Sequence, residues 1–257
     1  MANPVLWFEV TGKDPKALRE FYSELLGWRI SAGDPPSRSD CGLIEPGYGG
    51  LPGGIYSSSD GSSGQATFYV EVHDPSAMLA RAESLGGKTV MQETAVPCIN
   101  LRFAYFADPE GHVIGLSKNA AVGGRGDAGR NPVLSFEVMG RDAKALREFY
   151  AELFGWKMKE AAAFGYWLVE TGGDGVLGGI GPARAAGQDG GSGFATFKVE
   201  VEDPNAVLTK AAKLGGKIAM PVTEVPGTNL KIAYFVDPEG HVNGLTSGMG
   251  YRWWMRS

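Results

Sequence analysis

Histidine and cysteine are scarce in this chain, three of the first and two of the second among 257 residues. So few histidines, each beside a turn signal, leave little material for an imidazole metal centre or a Ser-His-Asp triad. Cys41 and Cys98 lack metal-ligand or disulfide-framework spacing and occupy non-equivalent places, so two free thiols in a reducing cytoplasm are expected. Positive charge is not in excess: 24 Lys plus Arg against 29 Asp plus Glu leave a net charge of -5. That argues against a nucleic-acid footprint, which needs a basic face. No apolar run nears the roughly 18 residues a membrane helix requires. A charged-then-apolar leader is missing too, so a secretory signal is not expected. The glycine-rich stretches GYGGLPGG and GGDGVLGGIG lack the G-x-x-x-x-G-K-[ST] order, and read as mobile connections rather than a phosphate cradle.

Repetition is what the chain has in abundance. Residues 5–28, VLWFEVTGKDPKALREFYSELLGW, return at 133–156 as VLSFEVMGRDAKALREFYAELFGW, with 18 of 24 positions identical. ATFYVEVHDP at 66–75 returns as ATFKVEVEDP at 195–204, and AYFADPEGHVIGL at 104–116 as AYFVDPEGHVNGL at 233–245. Between the copies lies KNAAVGGRGDAGR, a linker by composition. The expected division is a first module over 1–117, a linker over 118–130, and a second module over 131–257 that carries an aromatic tail.

Each copy reads strand, helix, then several strands. VLWFEV alternates and is rich in strand formers. Asp14-Pro15 signals a helix N-cap and first turn, Leu18, Phe21, Tyr22 and Leu25 recur at helical spacing, and Gly27 suits a C-cap. Asp74-Pro75 and Asp203-Pro204 open a second helix in each copy. Asp108-Pro109-Glu110-Gly111 and Asp237-Pro238-Glu239-Gly240 fit type I turns between the last two strands. After these turns His112 and His241 are expected to hydrogen-bond the loop.

The strand–Asp–helix–FYxxLxGW opening and the DPEGHxxGL ending, each present twice, resemble the vicinal oxygen chelate superfamily of glyoxalases, extradiol dioxygenases and bleomycin resistance proteins. The resemblance spans nearly the whole chain. It implies an α+β fold: two tandem βαβββ modules forming a curved-sheet cleft, with helices outside. About 117 residues per copy fit one extended βαβββ unit better than two. In metal-using members, the resemblance implies one ligand on the first strand, seven residues before the helix-opening Asp, and a Glu on the last strand. Those positions hold Trp7 and Ser135, and Gly115 and Gly244. None offers a carboxylate or imidazole, so no metal and no other cofactor are expected.

Strand alternation puts Glu9 on the face of Trp7, and Glu137 on the face of Ser135. Both glutamates are candidate general acids or bases; the competing expectation pairs them with Arg102 or Lys231. Trp7, Ser135, Tyr69, Lys198, Arg102 and Trp167 are candidate ligand contacts. Tyr69 against Lys198 and Trp7 against Ser135 break the repeat, which points to cleft walls with different tasks. The tail YRWWMRS is expected to pack back on a sheet or on a second subunit. The expected partner is a small organic molecule of aromatic or polyketide-like type, with no nucleic acid or membrane, and a monomer or homodimer in the cytoplasm. Three functions stay open: a binding or sequestering protein, a metal-independent lyase, isomerase or cyclase, and a metal-dependent glyoxalase or dioxygenase.

Overall fold

The computed structural model describes residues 2–32, 42–45, 47–58, 61, 64–96, 101–119, 130–161, 165–183 and 193–249. Cys41, Cys98, the tail and most of the expected linker lie outside them. The first copy contains β1 (Val5–Gly12), α1 (Pro15–Leu26), β2 (Ile30–Ala32), β3 (Gly42–Ile44), β4 (Gly53–Ser57), β5 (Gln65–Glu71), α2 (Pro75–Ser84), β6 (Lys88–Val96), β7 (Leu101–Ala107) and β8 (Val113–Lys118). The second repeats the order: β9 (Val133–Gly140), α3 (Ala143–Phe154), β10 (Lys157–Glu160), β11 (Trp167–Glu170), β12 (Leu177–Pro182), β13 (Phe194–Glu200), α4 (Pro204–Lys213), β14 (Lys217–Glu224), β15 (Lys231–Val236) and β16 (Val242–Ser247).

The strands form two curved eight-stranded sheets, in the orders β2-β3-β4-β1-β5-β8-β7-β6 and β10-β11-β12-β9-β13-β16-β15-β14. This is the α+β architecture of two tandem modules. Each module, however, holds two βαβββ units rather than one extended unit. The glycine-rich stretches explain the miscount. Read from composition as connections, they supply β4 and β12. Glycine in a strand interior marks a close approach of another group. A methyl on Gly178 would overlap the Phe136 ring, and one on Gly54 would overlap the Tyr56 ring.

Helix boundaries follow local chemistry. Asp14 Oδ1 accepts the Ala17 amide at 2.9 Å, and Asp142 Oδ1 accepts that of Ala145 at 2.9 Å, each satisfying a helix-start donor. Gly27 and Gly155 close α1 and α3 in the left-handed region, with φ of 69° and 68°. Leu18, Phe21, Tyr22, Leu25 and Leu26 of α1 are buried, one stripe at helical spacing.

The chain divides into two compact units, each drawing on both copies. One comprises Met1–Phe8, Thr67–Gly123 and Ser135–Thr196. Its core joins Phe68 to Phe136 with ring centroids 4.4 Å apart, and Phe106 to Phe149 at 6.1 Å. The duplicated turn is its polar bracket. Asp108, with a fully buried carboxylate, accepts from the Tyr150 hydroxyl at 2.9 Å and faces His112 Nδ1 at 2.8 Å. Glu110 accepts the backbone amides of Arg141 and Asp142, both at 2.7 Å, at the start of α3. A carboxylate there meets the positive end of the helix. Burial, then the Asp108 charge, pushes the Tyr150 phenol well above its ordinary range.

The other unit comprises Glu9–Ala66, Gly124–Leu134 and Phe197–Ser257, and repeats the bracket. Tyr22 donates to Asp237 at 2.8 Å, and His241 Nδ1 lies 2.7 Å from the same carboxylate. Glu239 accepts the amides of Lys13 and Asp14 at 2.7 and 2.8 Å. The DPEGH sequence is thus a clasp reaching from one copy into the other's helix start. Its histidines bond the turn, as their position suggested.

Candidate functional site

The helix-packed face of each sheet takes the large apolar residues. Phe136 and Val138 of β9 are fully buried, as are Phe68 and Val70 of β5. The intervening residues face the other way. On β9 these are Ser135, Glu137 and Met139. Ser135 is 3% exposed and Glu137 is 2% exposed. A carboxylate so deep requires polar company. Tyr166, just before β11, donates its hydroxyl to Glu137 Oε1 at 2.6 Å.

Register explains how Tyr166 reaches it. Glu137 pairs with Gly179 of β12, and Gly179 pairs with Leu168 of β11. The tyrosine therefore crosses β12 to reach β9. Glycines make the crossing open: a methyl on Gly179 would overlap the Tyr166 hydroxyl, and one on Gly181 would meet its ring. The Tyr166 phenol is held well above its ordinary range, first by burial and then by the charge of Glu137.

The same layout recurs along the chain. Tyr69 on β5 pairs with Gly115 on β8, and Lys198 on β13 pairs with Gly244 on β16. A methyl on Gly115 would overlap the Tyr69 ring, and one on Gly244 would overlap the Lys198 stem. Tyr69 and Lys198 are 5% and 6% exposed. Tyr69 and Tyr105 hydroxyls are hydrogen-bonded. Sequence equivalence puts Glu9, Tyr69, Glu137 and Lys198 at one repeated place in four βαβββ units, two residues after Trp7, Thr67, Ser135 and Thr196.

This repetition tests the family's metal position four times over. First strands offer Trp7, Thr67, Ser135 and Thr196; last strands offer Gly54, Gly115, Gly179 and Gly244. Not one is a carboxylate, imidazole or thiolate. The Thr67 hydroxyl is committed to the Val113 carbonyl at 2.7 Å. Among the described residues, no three His, Cys, Asp or Glu side chains cluster so as to hold an ion. The described residues at these positions do not fit the metal that the resemblance implies for metal-using members.

The remaining candidates are scattered. Trp7 is half-buried on β1 in the first unit, whereas Glu9 starts the second and is 7% exposed. Arg102 is exposed on β7 and pairs with Glu93, not with either candidate glutamate. The Ser76 hydroxyl, followed by Arg102, holds the Glu93 carboxyl below its usual range. Lys231 lies 3.9 Å from Glu224. Both expected glutamate partners are thereby replaced. Trp167 lies under Arg147 of α3, 5.6 Å from the guanidinium carbon, on the face opposite Tyr166. Tyr166 is the residue that strand reasoning passed over. Fully buried Val169 puts Trp167 on the core face and hence Tyr166 on the other, a signal the alternation carried.

Two family models match the chain: the Glyoxalase/Bleomycin resistance protein/Dioxygenase superfamily over residues 133–245, and the Glyoxalase-like domain over 7–117. The chain belongs to this vicinal oxygen chelate superfamily, with two modules. In sequence, no curated protein matches it significantly. Among solved structures, it is similar to the Mn(II)-bound glyoxalase from Novosphingobium aromaticivorans, at 16% identity and a TM-score of 0.63, covering 97% of this chain and 83% of that one. A halotolerant catechol dioxygenase, BphC, is similar at 13% identity and a TM-score of 0.62, over 96% and 87% of the two chains. The 2,2',3-trihydroxybiphenyl 1,2-dioxygenase from Sphingomonas wittichii strain RW1 follows at 14% identity and a TM-score of 0.60, over 96% and 91%. At such identities the likeness is one of fold.

Proposed function

We propose that this chain is a binding member of the superfamily, taking a small organic molecule in a metal-free cleft in the cytoplasm. The observation that carries the reading is the fate of the last-strand ligand positions. Gly115 and Gly244 lack a donor, and each is also the floor under a neighbouring side chain, Tyr69 or Lys198. A glutamate in either place would collide with that neighbour. The loss of ligands therefore comes with a repacked surface. Aromatic side chains lying over such glycines, as Tyr69 and Tyr166 do, suit an aromatic ligand. No helix among the described residues is long and apolar enough to cross a membrane.

A second reading is favoured by Glu137. A carboxylate 2% exposed and hydrogen-bonded to a phenol is a candidate acid or base for a metal-independent lyase, isomerase or cyclase. Glu9 is its counterpart. A metal-dependent glyoxalase or dioxygenase, the activity named for the structural neighbours, is the least supported because the donor set is missing. Elemental analysis of the full chain, purified without chelator, tests the reading. Less than roughly a tenth of an equivalent of Mn, Fe, Ni or Zn is expected; one equivalent of any would overturn it.

A further inference from the structure

Resting on that metal-free reading, we infer that Tyr166 and Glu137 form the polar contact point of a ligand site in the second copy, selective for an uncharged phenolic or enolic O–H. A phenol has one proton, and Tyr166 commits it to Glu137 Oε1 at 2.6 Å. What its oxygen can still offer a ligand is a lone pair. The tyrosine is half-buried whereas Glu137 is 2% exposed, so of the two residues it is the tyrosine that keeps some exposure. A ligand there meets an acceptor with a carboxylate behind it.

Three consequences follow for recognition. A ligand O–H would extend a chain from ligand to tyrosine to carboxylate, each bond polarising the next. An anionic ligand would face the Glu137 charge and the filled lone pairs of Tyr166, and would be disfavoured. A ligand with the donor capped by methyl would leave the tyrosine oxygen without its bond. The Tyr166 ring itself covers Gly179 and Gly181, and Leu177 and Met139 share that face. The high phenol pKa of Tyr166 agrees with the hydroxyl remaining protonated beside the carboxylate.

The test uses three probes of similar size on the full chain: phenol, anisole and benzoate, compared by ligand-observed NMR titration. Phenol should bind about 5-fold more tightly than anisole, the worth of an ordinary hydrogen bond, and benzoate most weakly. Tyr166→Phe should remove the phenol preference and leave anisole within about 2-fold, since only the oxygen is lost. Gly179→Ala, which displaces the hydroxyl while keeping the tyrosine, should also remove the phenol preference. Equal binding of phenol and anisole to the wild type, tightest binding of benzoate, no binding by any probe, or a preference that survives both substitutions would each overturn the assignment. If the protein is metal-free and the preference is absent, only the dyad's role falls. One equivalent of bound metal would instead sink the reading on which it rests.

Discussion

Replacing Gly179 by alanine should damage this protein only while Tyr166 is present. The β12 backbone is held on both sides, by Glu137 of β9 and Leu168 of β11. The added methyl would overlap the Tyr166 hydroxyl, and the tyrosine must yield because the strand is the stiffer partner. Displacement breaks a hydrogen bond to a charged group, worth about 1.5–3 kcal/mol. Overpacking adds about 1–3 kcal/mol. Against these, alanine in place of glycine restricts the unfolded chain and returns about 0.4–1 kcal/mol. The net loss should be about 3 kcal/mol, or roughly 6–12 °C in Tm for a chain of this size. In a Tyr166→Ala background the overlap is gone, and Gly179→Ala should cost less than about 0.5 kcal/mol or stabilise slightly. Urea unfolding of the four proteins gives the coupling, expected to be at least about 2 kcal/mol. Additive effects within about 0.5 kcal/mol would refute the idea that these glycines exist to floor the tyrosine.

Two further outcomes follow from the clasps and the buried phenols. Tyr150→Phe leaves the packing intact but removes the bond to buried Asp108, and should cost about 1.5–3 kcal/mol, read as a fall in Tm of roughly 3–12 °C; a change under about 1 °C would show that the clasp carries no load there. Tyr22, Tyr150 and Tyr166 all have phenol pKa values above the ordinary 10.0, so the folded protein keeps protons that the unfolded chain releases. Their stabilisation is complete below the unfolded pKa and is lost as pH rises through the folded one, at up to about 1.4 kcal/mol per pH unit for each tyrosine. Absorbance titration at tyrosinate wavelengths should show these three ionising together with unfolding; early, reversible ionisation of all nine tyrosines in the folded state would contradict it.

The sequence carried a good deal of this. Duplication was visible because 18 of 24 residues coincide, and Asp14, Gly27 and the DPEGH turns announced their own local structure. Other features depend on register, which periodicity does not encode. β4 and β12 were hidden because GGIYS and LGGIGP are poor in strand formers; only the rings lying over them explain the glycines. With those strands missed, each copy reads as one βαβββ unit instead of two. The partner of Glu137 was likewise out of reach. Arg102 was plausible by charge, but Tyr166, 29 residues away, arrives through the β9–β12–β11 pairing. The clasps show the same limit, since Glu110 serves a helix start 31 residues further on.

The most direct trial of the claim that these walls no longer hold an ion is a thermal-shift titration of chelator-stripped protein with Mn(II), Fe(II), Ni(II) and Zn(II). An intact site with a Kd of about 10 μM, exposed to about 1 mM metal, would add about 2.7 kcal/mol, or roughly 5–11 °C. The Tm is expected to stay within about 1 °C for every ion. A saturable rise of several degrees with any one of them, abolished by chelator, would contradict it.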